Sequence, residues 1–369
     1  MLFLMKNIQF AKQNNSETIQ LQFLRFCAFL LVFLYHSTLQ PADWMPGAGG
    51  AGCAVSLFFI LSGAVAGISS FDREIQFSVR SIVGLIIKKL KKIYPLYFVT
   101  VLLTISRTCI PTCVSNHDLV TPASDLMQLL RSLLLIQSWH STDYYSFNGV
   151  GWFLSTLFFL YLFQLPLLAC CSKIKKHKNS SVFFSAIIVI VFLLNLLYGF
   201  LLRNTNTEYW LYIFPPSRMG EYVIGICLSY LAIPVKRQLS ECHNCRLLLS
   251  AAELLSLVLW VFSMYMPIPE WQAKTIHWIV PNSILLIVFI LGKGVLTDIF
   301  RFKPLVILGN ISFECYLLHQ IVIHDYFINS GVGLIHLSRI GNAFNILLCL
   351  LITILLAFLI STAEKKRPE

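Results

Sequence analysis

The sequence predicts an all-α integral membrane protein: a polytopic helical bundle of about ten transmembrane helices with both termini in the cytoplasm. Three observations support this fold class. Apolar residues make up 57% of the 369 positions and charged residues only 12%, whereas about a quarter of a typical soluble chain is charged. The apolar residues fall into ten separate runs. The basic residues collect on alternate connecting segments, as they do in multi-pass membrane proteins.

The predicted spans follow one another along the whole chain, as apolar windows of about 19 residues. They are Phe23–Leu39, Cys53–Ser69, Ile93–Ile105, Val150–Cys171, Val182–Leu202, Arg218–Ala232, Leu247–Met266, His277–Leu291, Pro304–His324 and Ala343–Ile360. The third is short and is expected to borrow residues from one side. The amphipathic stretch Leu126–Trp139 carries Arg131, and it is expected to lie at the interface or to re-enter the membrane rather than to span it.

The distribution of basic residues sets the orientation. With the N-terminus placed in the cytoplasm, 21 of the 28 Lys and Arg residues fall on inner segments and six on outer ones. Cytoplasmic loops carry such an excess, so the net charge of +11 reports topology and not nucleic-acid binding. The predicted organisation is a cytoplasmic segment over 1–22, a membrane domain over 23–360 and a cytoplasmic tail over 361–369, in the cell inner (plasma) membrane. Lys6 and Lys12 interrupt the apolar N-terminus, so no cleavable signal peptide is expected.

The first span contains two polar residues, Arg25 and His36. They are eleven positions apart, which is about three helical turns, so they share one face and lie roughly 16 Å apart along the axis. Because such groups are costly inside a membrane, each is a candidate for function. The alternative is that Arg25 extends to the headgroups and His36 is a hydrogen-bonded core histidine.

Two further segments have both a structural and a functional interpretation. Ser62-Gly63 in the second span allows close helix contact, so packing alone explains it. The lysines of Lys88–Lys92 lie on the inner surface beside the third span. Taken alone they favour a positive-inside anchor, and the functional alternative is a docking site for a phosphate-bearing cytosolic donor.

Later spans hold buried acids beside basic side chains. Arg218 and Glu221 stand at i and i+3 near the outer face, where they can form an ion pair. The ninth span contains Glu314 and His319, and His319 is expected at a depth similar to that of His36.

Taken in order, these segments resemble the motifs of the acyltransferase 3 family, membrane enzymes that O-acylate polysaccharides, lipopolysaccharide and related surface glycans. The matching elements are Arg25 and His36 (R-x10-H), Phe58–Gly63 (F-F-x-x-S-G), Lys88–Pro95 (R-x-x-R-I-x-P), Trp152–Leu154 (W-x-L), Arg218 to Gly225 (R-x-x-E-[FY]-x-x-G) and Leu308–His319 (L-G-x-I-S-[FY]-x-x-Y-L-x-H). Each motif is loose alone, but six in the right order are specific. Two departures stand out: lysines replace the usual arginines of the basic segment, and Leu157 replaces a glutamate found in many glycan-acylating members.

The resemblance implies acyl-CoA, usually acetyl-CoA, as co-substrate, no bound cofactor or metal, and a sugar hydroxyl as acceptor. The residues that match the motifs and carry implied catalytic roles are His36, His319 and Glu221. Those with implied donor-binding or substrate-binding roles are Arg25, Ser62, Lys88, Lys89, Lys92, Trp152 and Arg218.

In the implied mechanism, the inner cations hold the CoA phosphates and a neutral His36 removes the proton of the acceptor hydroxyl. His319 and the Arg218/Glu221 pair orient that base or stabilise the oxyanion. An acyl-enzyme on Ser62 is the alternative route.

The expected partners are acyl-CoA, membrane lipids and a glycan or lipid-linked glycan such as O-antigen, capsule or exopolysaccharide, with no nucleic acid. The long outer loop Ser106–Gly149 is the candidate for acceptor contact. Two other function classes stay open: a transporter or flippase of a lipid-linked sugar, and a membrane sensor or scaffold whose lysine loops bind anionic lipid.

Overall fold

The computed structural model describes residues 19–37, 48–116, 123–240, 245–323 and 339–365. Over these residues the chain is helical, with no strand. The helices are α1 Ile19–His36, α2 Ala48–Ser70, α3 Val79–Asn116, α4 Ala123–Leu133, α5 Gly151–Ile174, α6 Ser180–Leu202, α7 Met219–Ser240, α8 Arg246–Ser263, α9 Glu270–Ala273, α10 Ile276–Leu291, α11 Val295–Phe300, α12 Lys303–Asn310, α13 Ser312–Ile323 and α14 Arg339–Lys365. Short turns of 3₁₀ helix occur at Gln137–Trp139 and Pro215–Arg218, and a π-helical turn covers Glu208–Ile213.

Eight helical segments within the described residues are long and apolar enough to cross a membrane. They are Ile19–His36, Gly50–Ser70, Gly151–Ile174, Ser180–Leu202, Pro215–Leu239, Arg246–Ser263, Glu270–Leu291 and Phe344–Glu364. The predicted multi-pass, all-α fold class is therefore confirmed. The predicted number of about ten is higher than these eight, or nine if the bent pair α12–α13 is one span. The remaining predicted span, Ile93–Ile105, is the middle of α3, whose side chains after residue 105 lie outside the described part.

The ninth predicted span, Pro304–His324, is bent within its described residues. The chain breaks at Ile311 into α12 and α13, which differ in direction by 61°. Gly309 and Asn310, both weak helix formers, immediately precede the break. A Cβ at Gly309 would clash with the backbone of Gln22, so this glycine lets α12 approach α1 closely. The bend thereby brings the start of α13 beside the first helix.

Helix α2 forms the centre of the bundle, and α6 lies at its edge. In the apolar window of α2, 83% of residues are buried inside the protein, against 6% for α6. The contact of α2 with α7 depends on glycines on both sides, because a Cβ at Gly63 would clash with the carbonyl of Tyr222 and one at Gly225 with that of Ile60. Small residues at helix crossings allow this close approach in membranes. The Ser62-Gly63 pair therefore makes the helix contact that its sequence predicts.

The amphipathic stretch Leu126–Trp139 is not one helix. Helix α4 ends at Leu133. The chain then turns at Leu135, which has a left-handed backbone conformation (φ 56°), and the stretch finishes in the 3₁₀ turn Gln137–Trp139. Arg131 forms an ion pair with Asp143, which joins α4 to the segment that leads into α5. This segment forms one wall of the site described below.

Candidate active site

Two histidines from different helices meet at the end of α1. His36 is the last residue of α1, and His319 lies in α13, fully buried. Their side chains are in contact, with His36 Nδ1 3.2 Å from His319 Nε2 and the ring centroids 5.1 Å apart. Because the two rings are in contact, the sequence-based expectation that they lie at a similar depth is confirmed. The 61° bend between α12 and α13 lies about two turns before His319.

The hydrogen bonds fix which nitrogens carry protons in the neutral pair. His319 Nδ1 lies 2.7 Å from the carbonyl oxygen of Tyr316, and a carbonyl oxygen can only accept, so Nδ1 is the protonated nitrogen and Nε2 has the lone pair. That lone pair faces His36 Nδ1, which is also 2.9 Å from the carbonyl oxygen of Val32. Nδ1 of His36 must therefore donate, and its Nε2 then carries the lone pair of the ring.

A cavity of ≈530 Å³ opens at His36. Its walls come from the ends of α1, α2 and α3, the segment 145–152, the π-helical turn, the α9 region and α13. The residues that line it include Val32, His36, Tyr145, Trp152, Glu208, Tyr212, Glu270, Lys274 and Gln320. A cavity of this size is in the range of small-molecule sites, about 300–1,000 Å³.

One wall of the cavity has a strained backbone. Phe147 adopts a left-handed conformation (φ 59°), which is uncommon for a bulky residue. The following Asn148 is buried and donates to Thr100 Oγ1 (2.8 Å) and to the Leu317 carbonyl (3.2 Å), which ties this wall to α3 and α13. A Cβ at Gly149 would collide with the amide of Gln320. Strain of this kind collects at functional sites.

Trp152 occupies the wall beside the π-helical turn. It is almost fully buried, its ring centroid lies 5.0 Å from that of Tyr212, and both residues line the cavity. π-Helical turns are frequent at functional sites. The W-x-L element therefore contributes an aromatic surface to the cavity.

Arg218 and Glu221 form an ion pair with both side chains fully buried. Arg218 Nη1 donates to both carboxylate oxygens at 3.1 Å. Its other nitrogens donate to the carbonyls of Tyr212 (2.8 Å) and Lys274 (3.2 Å). The pair thus lies behind the cavity and holds two wall residues, since neither Arg218 nor Glu221 is among the lining residues.

Arg25 and the lysines of α3 come together away from the cavity. Lys89 Nζ lies 4.5 Å from the ring centroid of Tyr161 in α5. Lys89 precedes the predicted span in α3, and burial lowers its pKa to about 8, helped by the charges of Lys92, Arg25 and Lys88. The four predicted donor-binding cations, Arg25, Lys88, Lys89 and Lys92, therefore lie close enough together to interact electrostatically.

Ser62 is placed apart from the histidines. Its hydroxyl donates to the carbonyl of Phe58 at 2.7 Å, a bond within its own helix, and it does not line the cavity. Among the described residues, no three His, Cys, Asp or Glu side chains are close enough together to hold a metal ion.

Sequence reasoning missed four polar residues on one wall of the cavity: Tyr145, Glu208, Glu270 and Lys274. Tyr145 belongs to the outer loop expected to contact the acceptor, and residues 145 and 147–149 of that loop do line the cavity. Lys274 is one of the six basic residues on predicted outer segments, and Glu208 follows the fifth predicted span closely. The exception that Lys274 makes to the positive-inside pattern was the one available signal.

Comparison with known proteins agrees with the motif analysis. A family model described as an acyltransferase domain, that of the acyltransferase 3 family, matches residues 18–362. The acyltransferase MdmB of Streptomyces mycarofaciens is 29% identical over 324 residues, an alignment that covers 81% of this chain and 77% of that protein. No solved structure matches this chain significantly. The chain is thus a multi-pass membrane enzyme that transfers acyl groups other than amino-acyl groups, and it belongs to the acyltransferase 3 family.

Proposed function

We propose that the enzyme is an O-acyltransferase, with acetyl as the favoured group, that moves an acyl group from cytosolic acyl-CoA to a hydroxyl of a cell-surface glycan or its lipid-linked precursor. O-antigen, capsule and exopolysaccharide are candidate glycans. The enzyme lies in the cell inner (plasma) membrane with both termini in the cytoplasm, as its basic residues predict. The observation that carries the proposal is the His36–His319 contact at the wall of the cavity.

In the proposed reaction His36 is the general base. Its Nε2 takes the proton of the acceptor hydroxyl while the hydroxyl oxygen attacks the thioester carbonyl. The new C–O bond forms, the C–S bond breaks, and the CoA thiolate leaves and takes up the proton from His36. His319 is a positioning residue, because its Nε2 accepts the Nδ1–H bond of His36 and so holds the base in one tautomer and orientation.

The cationic neighbourhood of Arg25, Lys88, Lys89 and Lys92 suits the phosphates of CoA. Charged donors bind phosphate oxygens strongly, and lysines act there as point charges rather than as bidentate forks. Both Arg25 and His36 lie on α1, so the binding position for the donor phosphates and that for the reacting hydroxyl are about 16 Å apart along this helix.

Arg218 and Glu221 take a positioning role in this proposal. Their hydrogen bonds hold the backbone at Tyr212 and Lys274, so their effect on the acceptor is indirect. Trp152 lines the acceptor cavity itself. This assignment moves Glu221 from the catalytic role implied by the resemblance to one of support.

The test uses the host's surface glycan and the purified full chain. NMR and mass spectrometry of the glycan from strains with the wild-type gene, a deletion and His36→Ala are compared, together with transfer of labelled acetyl from acetyl-CoA to glycan extracted from the deletion strain. We expect loss of an acetyl mass on otherwise normal glycan in both mutant strains. Loss of the whole glycan in the deletion strain would instead support a flippase, and full acetylation by His36→Ala would refute the histidine base. His140→Ala, which changes an exposed histidine outside the site, is the matched control.

A further inference from the structure

A cluster of polar side chains lies on the cavity wall, built from three separate segments of the chain. We define the Glu208 cluster as Tyr145, Glu208, Glu270 and Lys274, all of which line the cavity. The Tyr145 hydroxyl donates to Glu208 Oε1 at 2.5 Å. Lys274 Nζ forms an ion pair with the other oxygen of Glu208 and a second one with Glu270 at 3.5 Å. None of these residues belongs to the six motifs, and the proposed reaction does not use them.

The cluster presents donors and acceptors side by side. Burial, reinforced by the charge of Glu208, raises the pKa of Tyr145, so its phenol stays protonated and donates. An ammonium has three N–H bonds, of which the two carboxylates take two, and a carboxylate has about four lone-pair sites. The side chains of Lys274 and Glu208 keep 21% and 33% of their exposure. A hydroxyl both donates and accepts, so this arrangement matches neighbouring hydroxyls on a ring.

The charge of the cluster favours an uncharged ligand over an acidic one. It holds two carboxylates and one ammonium, and the buried Arg218 behind it is neutralised by Glu221. An anion bound here would meet two carboxylates against a single ammonium, and the net charge of −1 disfavours it, mainly through Glu208 because the Glu270 side chain is 74% exposed. Beside the cluster, the rings of Trp152 and Tyr212, which are tilted by 48° to each other, offer aromatic surface for the C–H face of a ring, and Lys274 Nζ lies 6.0 Å from the centroid of Tyr212.

We infer that the Glu208 cluster, with the Trp152–Tyr212 surface, is the subsite that binds the acceptor, and that the acceptor unit is an uncharged sugar ring rather than a uronic acid or another acidic sugar. This inference rests on the proposed function for the identity of the subsite as an acceptor site. The cavity volume of ≈530 Å³ fits a small group at the end of a glycan rather than a length of polymer.

Binding and transfer are measured separately to test the inference. Saturation-transfer NMR on the purified full chain uses neutral methyl glycosides (gluco, galacto, manno and rhamno) and the matched methyl glucuronide and galacturonide. We expect at least one neutral glycoside to bind about tenfold more tightly than either uronate. Tyr145→Phe, which removes one hydroxyl, should weaken that binding several-fold, and Glu208→Gln about tenfold, with less discrimination against uronates. Tyr198→Phe is the control, because its hydroxyl donates to the Trp210 carbonyl and does not line the cavity.

Each outcome decides one claim. The inference is overturned if uronates bind as well as neutral glycosides, if no glycoside binds, or if both cluster variants bind like wild type. Glycoside binding by the His36→Ala protein shows whether the subsite works independently of the proposed base. If glycosides bind but the wild-type protein transfers no acetyl group, the proposed function alone is refuted. If the wild-type protein acetylates the host glycan and the cluster variants behave like it, the subsite alone is refuted.

Discussion

The two ends of α1 differ in their electrostatics. At the Arg25 end, burial and the charges of Lys92, Arg25 and Lys88 lower the pKa of Lys89. At the His36 end, the two imidazoles in contact lie beside a cavity whose polar wall, the Glu208 cluster, has two carboxylates and one ammonium. A cluster of cations suits a polyanionic ligand such as the phosphates of the proposed CoA donor, whereas the proposed histidine base is favoured by surroundings without an excess of positive charge.

The two ends of α1 are also separated in space, which in the proposed function separates binding of the donor phosphates from proton removal at His36. Among residues of α1, the cavity is lined by Val32, Tyr35 and His36, so Arg25 lies seven residues, or about 10 Å, beyond its nearest wall. Phe29 lies between them on the same face, fully buried, with its ring 5.8 Å from that of His319. In the proposed reaction, a CoA whose phosphates are held at the Arg25 end must therefore extend past Phe29 for its thioester to reach His36.

After the loss of His36 itself, the largest effect is expected from His319, because it helps to orient the base. His319→Leu removes one of the two acceptors of His36 Nδ1–H and leaves only the Val32 carbonyl, and kcat for acetyl transfer should fall about a hundredfold, within the range that a general base contributes. His319→Gln keeps a polar acceptor and should recover much of this loss. KM for acetyl-CoA should stay unchanged in both variants. Equal losses in the Leu and Gln variants would mean that the residue acts only through packing.

A second substitution tests the opposite end of α1. Lys89→Met should raise KM for acetyl-CoA about tenfold or more, because a charge-assisted bond to phosphate is lost, while kcat and the acceptor KM stay unchanged. Lys91→Met is the matched control, since Lys91 is an exposed lysine of the same helix that does not perturb Lys89. Steady-state kinetics on reconstituted protein, repeated at two salt concentrations, gives both constants. Equal KM changes in the two variants would indicate a general surface charge effect instead.

The pH dependence of KM provides a smaller effect with a defined sign. Lys89 has its pKa lowered to about 8 by burial and by Lys92, Arg25 and Lys88. It is charged below that pH and loses its proton above it, so KM for acetyl-CoA should be flat near pH 7 and rise several-fold by pH 9, up to the value of Lys89→Met. Lys89→Arg stays charged throughout this range and should abolish the rise. A rise that persists in Lys89→Arg would assign the titration to another group.

The sequence predicted the helical spans well, because a 19-residue apolar run in a membrane has no alternative to a helix. It failed where a local contact decides the backbone. The break at Ile311 depends on the approach of Gly309 to Gln22, a residue 287 positions earlier in the chain. No periodicity within Pro304–His324 contains that information.

The candidate site was predictable in part for a similar reason. Arg25, His36 and His319 stand out because polar groups in apolar runs are costly, and His36 and His319 do meet. Glu208 and Lys274 lie in connecting segments, where charged residues are ordinary. Their ion pair joins positions 66 apart and exists only after α6 and α10 have packed together. The hydrogen bonds of Arg218 to two backbone carbonyls were likewise invisible to side-chain patterns.

The smallest effect on acetyl transfer is expected from a substitution of Ser62, which does not line the cavity. Its hydroxyl is engaged with Phe58 in the same helix, so Ser62→Ala should leave acetyl transfer within about twofold of wild type. The neighbouring Gly63→Ala is the informative contrast: its new Cβ would clash with the Tyr222 carbonyl and force α2 and α7 apart, so the yield of folded protein and the melting temperature in detergent should fall. Trapping of a labelled acetyl group on the wild-type chain, lost in Ser62→Ala together with activity, would restore the acyl-enzyme route. Without it, the serine motif belongs to helix packing, and chemistry is left to the histidine pair.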